Sequence, residues 1–180
     1  ANQTTEEVFS IISPGGESFF NDQSYGRLQL SFRPHHEWLR LSGPSTTYKE
    51  AIKTFDAHRD FLQEAMDLAD ASVDFTGADA VLVVSTPNAT EVGYGPAFMG
   101  GSWGPDAYLS ADGMAITNGV TSGADLTYWG DLWYPHEMGH SLGLPDLYGA
   151  SIPGRDGFTR PFSLMDDIGS AAPGYMGYSR

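Results

Sequence analysis

Cysteine is absent from the 180 residues. That excludes a disulfide framework, a thiolate nucleophile and any thiolate-ligated metal site, and leaves histidine and carboxylate as the ligands available to a metal. Positive charge is scarce: nine Lys and Arg stand against 23 Asp and Glu, a formal net charge of −14 at pH 7. A surface of that sign repels phosphate backbones and anionic headgroups, so no nucleic-acid partner is expected. No apolar run is long enough to cross a bilayer, and no basic start followed by an apolar core opens the chain, so membrane insertion is not expected either. Internal repeats are missing, and glycine and proline are spread along the chain instead of gathering in a linker. Residues 1–180 therefore read as a single domain.

The patterning that is present predicts mixed secondary structure. A short helix is expected at Ser18–Gln23, followed by a strand in which Leu28, Leu30 and Phe32 share a buried face. From Thr47 onward, Thr47 and Glu50 stand at capping-box spacing, and Ile52, Phe55, Leu62, Met66 and Ala69 fall near one face of a long helix. The valine-rich run Ala80–Ser85 predicts a strand buried in mid-sheet, beside the strand at Leu28. Gly/Pro-rich residues 86–113 predict a long loop, "GMAITNGV" a short edge strand, and a helix is expected somewhere between Asp125 and Leu142. His35, His36 and His58 are read as ordinary surface or packing histidines.

Chemistry concentrates in "HEMGHSLGLPD", His136 to Asp146. Histidines four apart on a helix project from one face about one turn apart, close enough to share an ion. Glu137 is rotated off that face, where it can reach a water on the ion without binding the ion itself. Gly143 suits a left-handed helix stop, after which Asp146 can return as a third ligand. Two imidazoles, one carboxylate and an open position make a catalytic zinc site in preference to a closed structural one. Ordinary residue frequencies yield His-Glu-x-x-His by accident in on the order of one such chain in a hundred, and Gly143 and Asp146 lower that by a further factor of hundreds. Pro135, which lacks an amide hydrogen, predicts either a kink or a helix start at that point.

In the form "HEMGHSLGLPDLY" the segment resembles the metzincin zinc proteases of the immune inhibitor A family, with an aspartate third ligand as also in the small snapalysin proteases. "FFNDQSYGRLQL", "EWLRL" and "VDFTGADAVLVV" resemble that family's segments around its sheet strands, and "FSLMDD" resembles its Met-turn, with Met165 beneath the metal. The resemblance implies an α+β, zincin-like fold: a twisted mixed sheet and two long helices above an active-site cleft, with a small irregular C-terminal lobe. The upper part would span about 1–142 and the lower about 143–180. It implies a monomeric, secreted zinc endopeptidase acting on protein or peptide substrates, with Zn2+ held by His136, His140 and Asp146 and Glu137 as the catalytic base. The alternative is an inactive protease-like domain that binds a protein or surface polymer. Some metzincins place a tyrosine two residues after the Met-turn methionine; here that position is Asp167, and Tyr148, Tyr175 and Tyr178 are the candidates for its role. Calcium is a second candidate cation, with Asp106, Asp112, Asp166 and Asp167 as loop carboxylates, although no EF-hand spacing supports it.

Overall fold

The fold is a computed structural model that describes residues 3–148, 162–169 and 174–175. Its layering can be read from one strand. In β1 (Val81–Val84) the side chains alternate: Leu82 and Val84 pack with a core that contains Trp133, Met138 and Met165, while Val81 and Val83 pack with a second core around Phe61, Leu62 and Met66. A strand with period 2 thus feeds two cores, one on each face of the sheet.

The same division runs through the central strand, β5 (Asn118–Ser122), which pairs in parallel with β1 and antiparallel with β2 (Ala97–Met99). Val120 points into the Trp133 core, whereas Gly119 and Thr121 meet α4 (Phe55–Ala69). A Cβ on Gly119 would stand 3.1 Å from the Leu62 side chain, so glycine lets the helix lie close on the strand. A hairpin of β3 (Leu109–Ala111) and β4 (Met114–Ile116) also packs against α4. Its turn, Asp112-Gly113, has φ of 50° and 73°, the left-handed pair that two-residue hairpins favour. On the opposite face, α2 (Gly15–Gln23) packs on α6 (Trp133–Ser141), and α5 (Asp125–Trp129) leads into it through a single 3-10 turn. At the N-terminus, α1 (Thr5–Phe9) is closed by a capping box between Thr4 and Glu7.

Several expectations are corrected. Leu28, Leu30 and Phe32 do alternate in burial, but among the described residues the segment 28–36 pairs with no strand; it lies over the Trp133 core, and β1 is flanked by β5 instead. Trp38 and its neighbours likewise join no strand ladder among the described residues. Alternation reports which side faces the core, not whether the backbone finds a ladder. "GMAITNGV" splits between β4 and β5, and β5 is the middle of its sheet, so it offers no free edge. Within residues 86–113 the expected long loop contains β2, a 3-10 turn and β3.

The long helix divides into α3 (Ser45–Ala51), which follows Pro44, and α4, with Thr54 extended between them. In one continuous helix Tyr48 and Phe61, thirteen residues apart, would be separated by about 20 Å. Their rings instead lie 5.3 Å apart, and the Tyr48 hydroxyl bonds the Glu64 carboxylate at 2.9 Å. The break folds α3 back onto α4 and places Tyr48 and Ile52 in the same core as Leu62.

Inside this layer His58 is buried with its Nε2 2.7 Å from the Thr121 hydroxyl, and burial pushes its pKa down to about 4. The folded protein therefore refuses a proton that the unfolded chain takes up. Stability that is intact above about pH 6.5 should fall by about 3 kcal/mol as the pH drops towards 4. Urea unfolding of the wild type and of His58→Gln at pH 7 and pH 4.5, with chelator present throughout, checks this. The variant should lose less stability on acidification, and equal losses would show that His58 is not the group responsible.

Candidate metal centre

Helix α6 carries both histidines, and its sequence explains its position. Trp133, Tyr134, His136, Met138 and Gly139 are buried. Pro135 is the third helical residue, so the helix begins before it; in the first turn its missing N–H would have had no partner within the helix. The C-terminus closes in a Schellman arrangement: Gly143, at φ 87°, donates to the His140 carbonyl and Leu144 to that of Gly139, at 2.9 and 3.1 Å. This reversal carries Leu144, Pro145 and Asp146 back along the helix.

The return completes a cluster. Asp146 Oδ1 lies 3.3 Å from His136 Nε2 and 3.4 Å from His140 Nε2, and the three potential ligand atoms all fall within 4.8 Å of one another. Two ligands at about 2.0–2.2 Å from a tetrahedral zinc stand roughly 3.3–3.5 Å apart, so these separations fit one ion. The imidazoles are oriented for it. His136 Nδ1 is 2.9 Å from the Leu164 carbonyl and His140 Nδ1 is 2.7 Å from that of Leu144. A carbonyl can only accept, so both Nδ1 atoms carry a proton, and each ring turns its Nε2 towards Asp146. With a metal bound, both Nε2 atoms and Asp146 Oδ1 would offer lone pairs to the same point.

The surroundings are built to hold that geometry. Burial would raise the Asp146 carboxyl, but hydrogen bonds to His136 and His140 outweigh it and hold the group well below the usual range. Glu137 is half-buried; desolvation pushes its pKa up to about 7, against the pull of the two histidines and with the help of Asp125 and Asp146. Beneath the helix, a Cβ on Gly139 would lie 3.1 Å from both the Met165 sulfur and the Tyr175 hydroxyl. Met165 is buried, its carbonyl accepts from Leu147 at 2.8 Å, and its neighbour Leu164 orients His136. Residues 163–166 thus form the floor on which the helix and the returning chain both rest.

The three tyrosine candidates differ in placement. Tyr148 stacks on His136 with ring centroids 6.1 Å apart and is half exposed, and burial with the nearby carboxylates raises its hydroxyl to about 12. Tyr175 lies under the helix and donates to the Pro135 carbonyl at 2.6 Å, a packing position. Tyr178 lies outside the described residues. Of the loop carboxylates, Asp112 accepts from Phe75 N at 2.7 Å and Asp167 from Gly169 N at 3.0 Å, and among the described residues they join no cluster of metal-ligand groups.

Sequence reasoning missed Asp125. Its carboxylate accepts from Gly95, Gly123 and Leu126 amides and from the Trp133 indole, at 2.8 to 3.2 Å, and burial raises its pKa despite them. It fastens the chain entering β2 to the start of α5 and to α6. An aspartate opening a helix was visible as a signal, but the strand it would tie was not. The Leu144 and Leu164 carbonyls leave no mark in a sequence, since any residue supplies one. No model of a known protein family, no curated protein and no solved structure matches the chain.

Calorimetric titration of the chelator-stripped protein with zinc should give about one equivalent, together with a rise in melting temperature, since an ion held by the folded state alone stabilises it. Asp146→Ala should weaken binding at least tenfold, and undiminished affinity in that variant would mean that another group is the third ligand.

Proposed function

We propose that the chain is a zinc-dependent endopeptidase that hydrolyses peptide bonds in proteins, as the resemblance of "HEMGHSLGLPDLY" suggests. The observation that supports it most is the convergence of His136 Nε2, His140 Nε2 and Asp146 Oδ1, with the half-buried Glu137 beside the first histidine. Bound at these three atoms, zinc supplies a Lewis acid and lowers the pKa of a water from its bulk value to about 7.

The chain's own groups supply the rest. Glu137, with a carboxyl raised towards neutrality by burial, is suited to take a proton from the attacking water and return it to the leaving amine. The Nδ1 bonds to the Leu164 and Leu144 carbonyls hold both rings still through these steps. Half exposure of Asp146 leaves the centre open to solvent on that side, where a substrate can approach. An extended peptide would pair along the outer edge of β2, the edge strand among those that pack against α6.

Metal analysis coupled to cleavage of denatured casein, with wild type and Glu137→Ala, tests the reading. The variant should retain its metal and its melting temperature and lose turnover by roughly 10²–10⁴-fold. Equal cleavage by both proteins would remove Glu137 from the chemistry. Stoichiometric zinc without turnover in the wild type would leave a protease-like binding domain.

A further inference from the structure

The face of the sheet remote from α6 carries a second feature, independent of the metal centre. Three aromatic rings stack outward from the α4 core. Phe98 on β2 is fully buried; Phe55, at the start of α4, stacks on it at 5.1 Å and 18°; Trp103 stacks on Phe55 at 4.8 Å and 21°. Exposure rises along the column from 1% at Phe98 to 67% at Trp103. The indole is thus held flat from behind, while most of its surface meets water.

An aromatic side chain of this size normally gains by burial, and a large one kept outside and clamped in one orientation marks a place where something else completes the stack. The loop leaves the ring uncovered. Gly101 stands two residues before Trp103, and a side chain added there would meet nothing within 4 Å, the indole included. The indole borders an open cleft of about 690 Å³, a volume in the range of small-ligand sites, about 300–1,000 Å³.

The charged groups of the cleft decide which chemistry fits. Lys53 and Arg59 line it together with Asp56 and Asp106, two charges of each sign in a chain of net charge −14. Both cations are already engaged, Lys53 with Glu50 at 2.9 Å and Arg59 with Asp60 at 3.1 Å. An anionic ligand would have to displace these pairs, and a cationic one finds balanced charge. What remains attractive is a neutral ligand with an apolar face to lie on the indole and a rim of hydroxyls to exchange hydrogen bonds with the carboxylates and the guanidinium. A pyranose ring with equatorial hydroxyls has this form: its axial C–H bonds make a flat apolar face, and its hydroxyls project around the edge.

We propose that Trp103 and its cleft form a carbohydrate-binding site for neutral pyranose chains with equatorial hydroxyls, separated from the metal centre by the sheet. It would anchor the protein on a glycan surface without taking part in turnover at α6. Affinity electrophoresis of the full chain through gels containing hydroxyethyl cellulose or glycol chitin provides the test. The wild type should be retarded by at least one of the two polymers. Trp103→Ala should bind roughly tenfold or more weakly, the scale on which removal of an aromatic platform acts, and Trp103→Phe should recover part of the loss.

Because Trp103 is exposed, the alanine variant should keep the wild-type circular dichroism and melting temperature, which separates loss of the platform from loss of the fold. Mobility unaffected by both polymers, or equal retardation of wild type and Trp103→Ala, would overturn the proposal. So would Trp103-dependent binding of carboxymethylated lactalbumin in the absence of polymer binding, which would make the cleft a peptide site. None of these readouts involves turnover, so the result stands whatever the metal centre does.

Discussion

Two backbone carbonyls control the candidate centre. An imidazole with a free Nδ1 can present either nitrogen to a metal, in either tautomer and over a range of ring rotations; one whose Nδ1–H is fixed presents Nε2 in one direction. Leu164 and Leu144 impose that restriction on His136 and His140 respectively. Each carbonyl is placed by a larger piece of structure. Leu144 also donates its N–H to the Gly139 carbonyl, so the residue that closes α6 is the one that aims the second histidine. Leu164 belongs to the buried floor with Met165, and Gly139 has no side chain because that floor lies directly against the helix. Helix stop, floor and ligand orientation are therefore one construction.

Residues with local consequences were legible in the sequence. The four-residue spacing of His136 and His140 and the left-handed glycine at 143 act over one or two turns, and the structure brings both rings and Asp146 together in the way such short-range geometry requires. The valine run at 81–84 does form a strand, but in a different place: β1 lies at the edge of its sheet and is partly buried, where the run of valines suggested a buried strand in mid-sheet. Features that depend on distant partners were not legible. Leu28, Leu30 and Phe32 alternate as a paired strand would, yet they cover a core without joining a ladder. The break between α3 and α4 leaves the apolar pattern almost undisturbed; its cause is the contact of Tyr48 with Phe61 and Glu64, which appears only once the helices have folded back on each other.

Charge adds a second constraint. Glu137, Asp125 and Asp146 are carboxylates close enough for the last two to raise the first, in a chain already carrying a net charge of −14. Each copes in a different way. Asp125 accepts four hydrogen bonds from amides and an indole, Asp146 faces two imidazoles, and Glu137 is left to shift towards the neutral form. Desolvated like charges persist in a fold only where something opposes them. Here the opposing groups are dipoles at Asp125 and the histidines at Asp146. A divalent cation among the three ligand atoms would add the positive charge that Glu137 lacks, and this is a physical reason, separate from sequence resemblance, to expect one.

The sheet keeps this arrangement apart from the rest of the surface. Since β1 and β5 send alternate side chains to opposite cores, the face bearing α6 and the face bearing α4 share a backbone but few side-chain contacts. The stack of Phe98, Phe55 and Trp103 grows from the α4 core, and the histidines from the other. Phe98 lies on β2, which packs against α6, and β5 packs against α6 while meeting α4, so these two strands are the elements through which a load on the indole could reach the centre. Asp125 limits that route, because it pins the entry to β2 at Gly95 to the end of β5 at Gly123. Close backbone approach at those two glycines, where any added Cβ would overlap the crossing chain, leaves the junction little room to move. A ligand held at Trp103 would on this argument place the protein without altering the geometry at His136, His140 and Asp146.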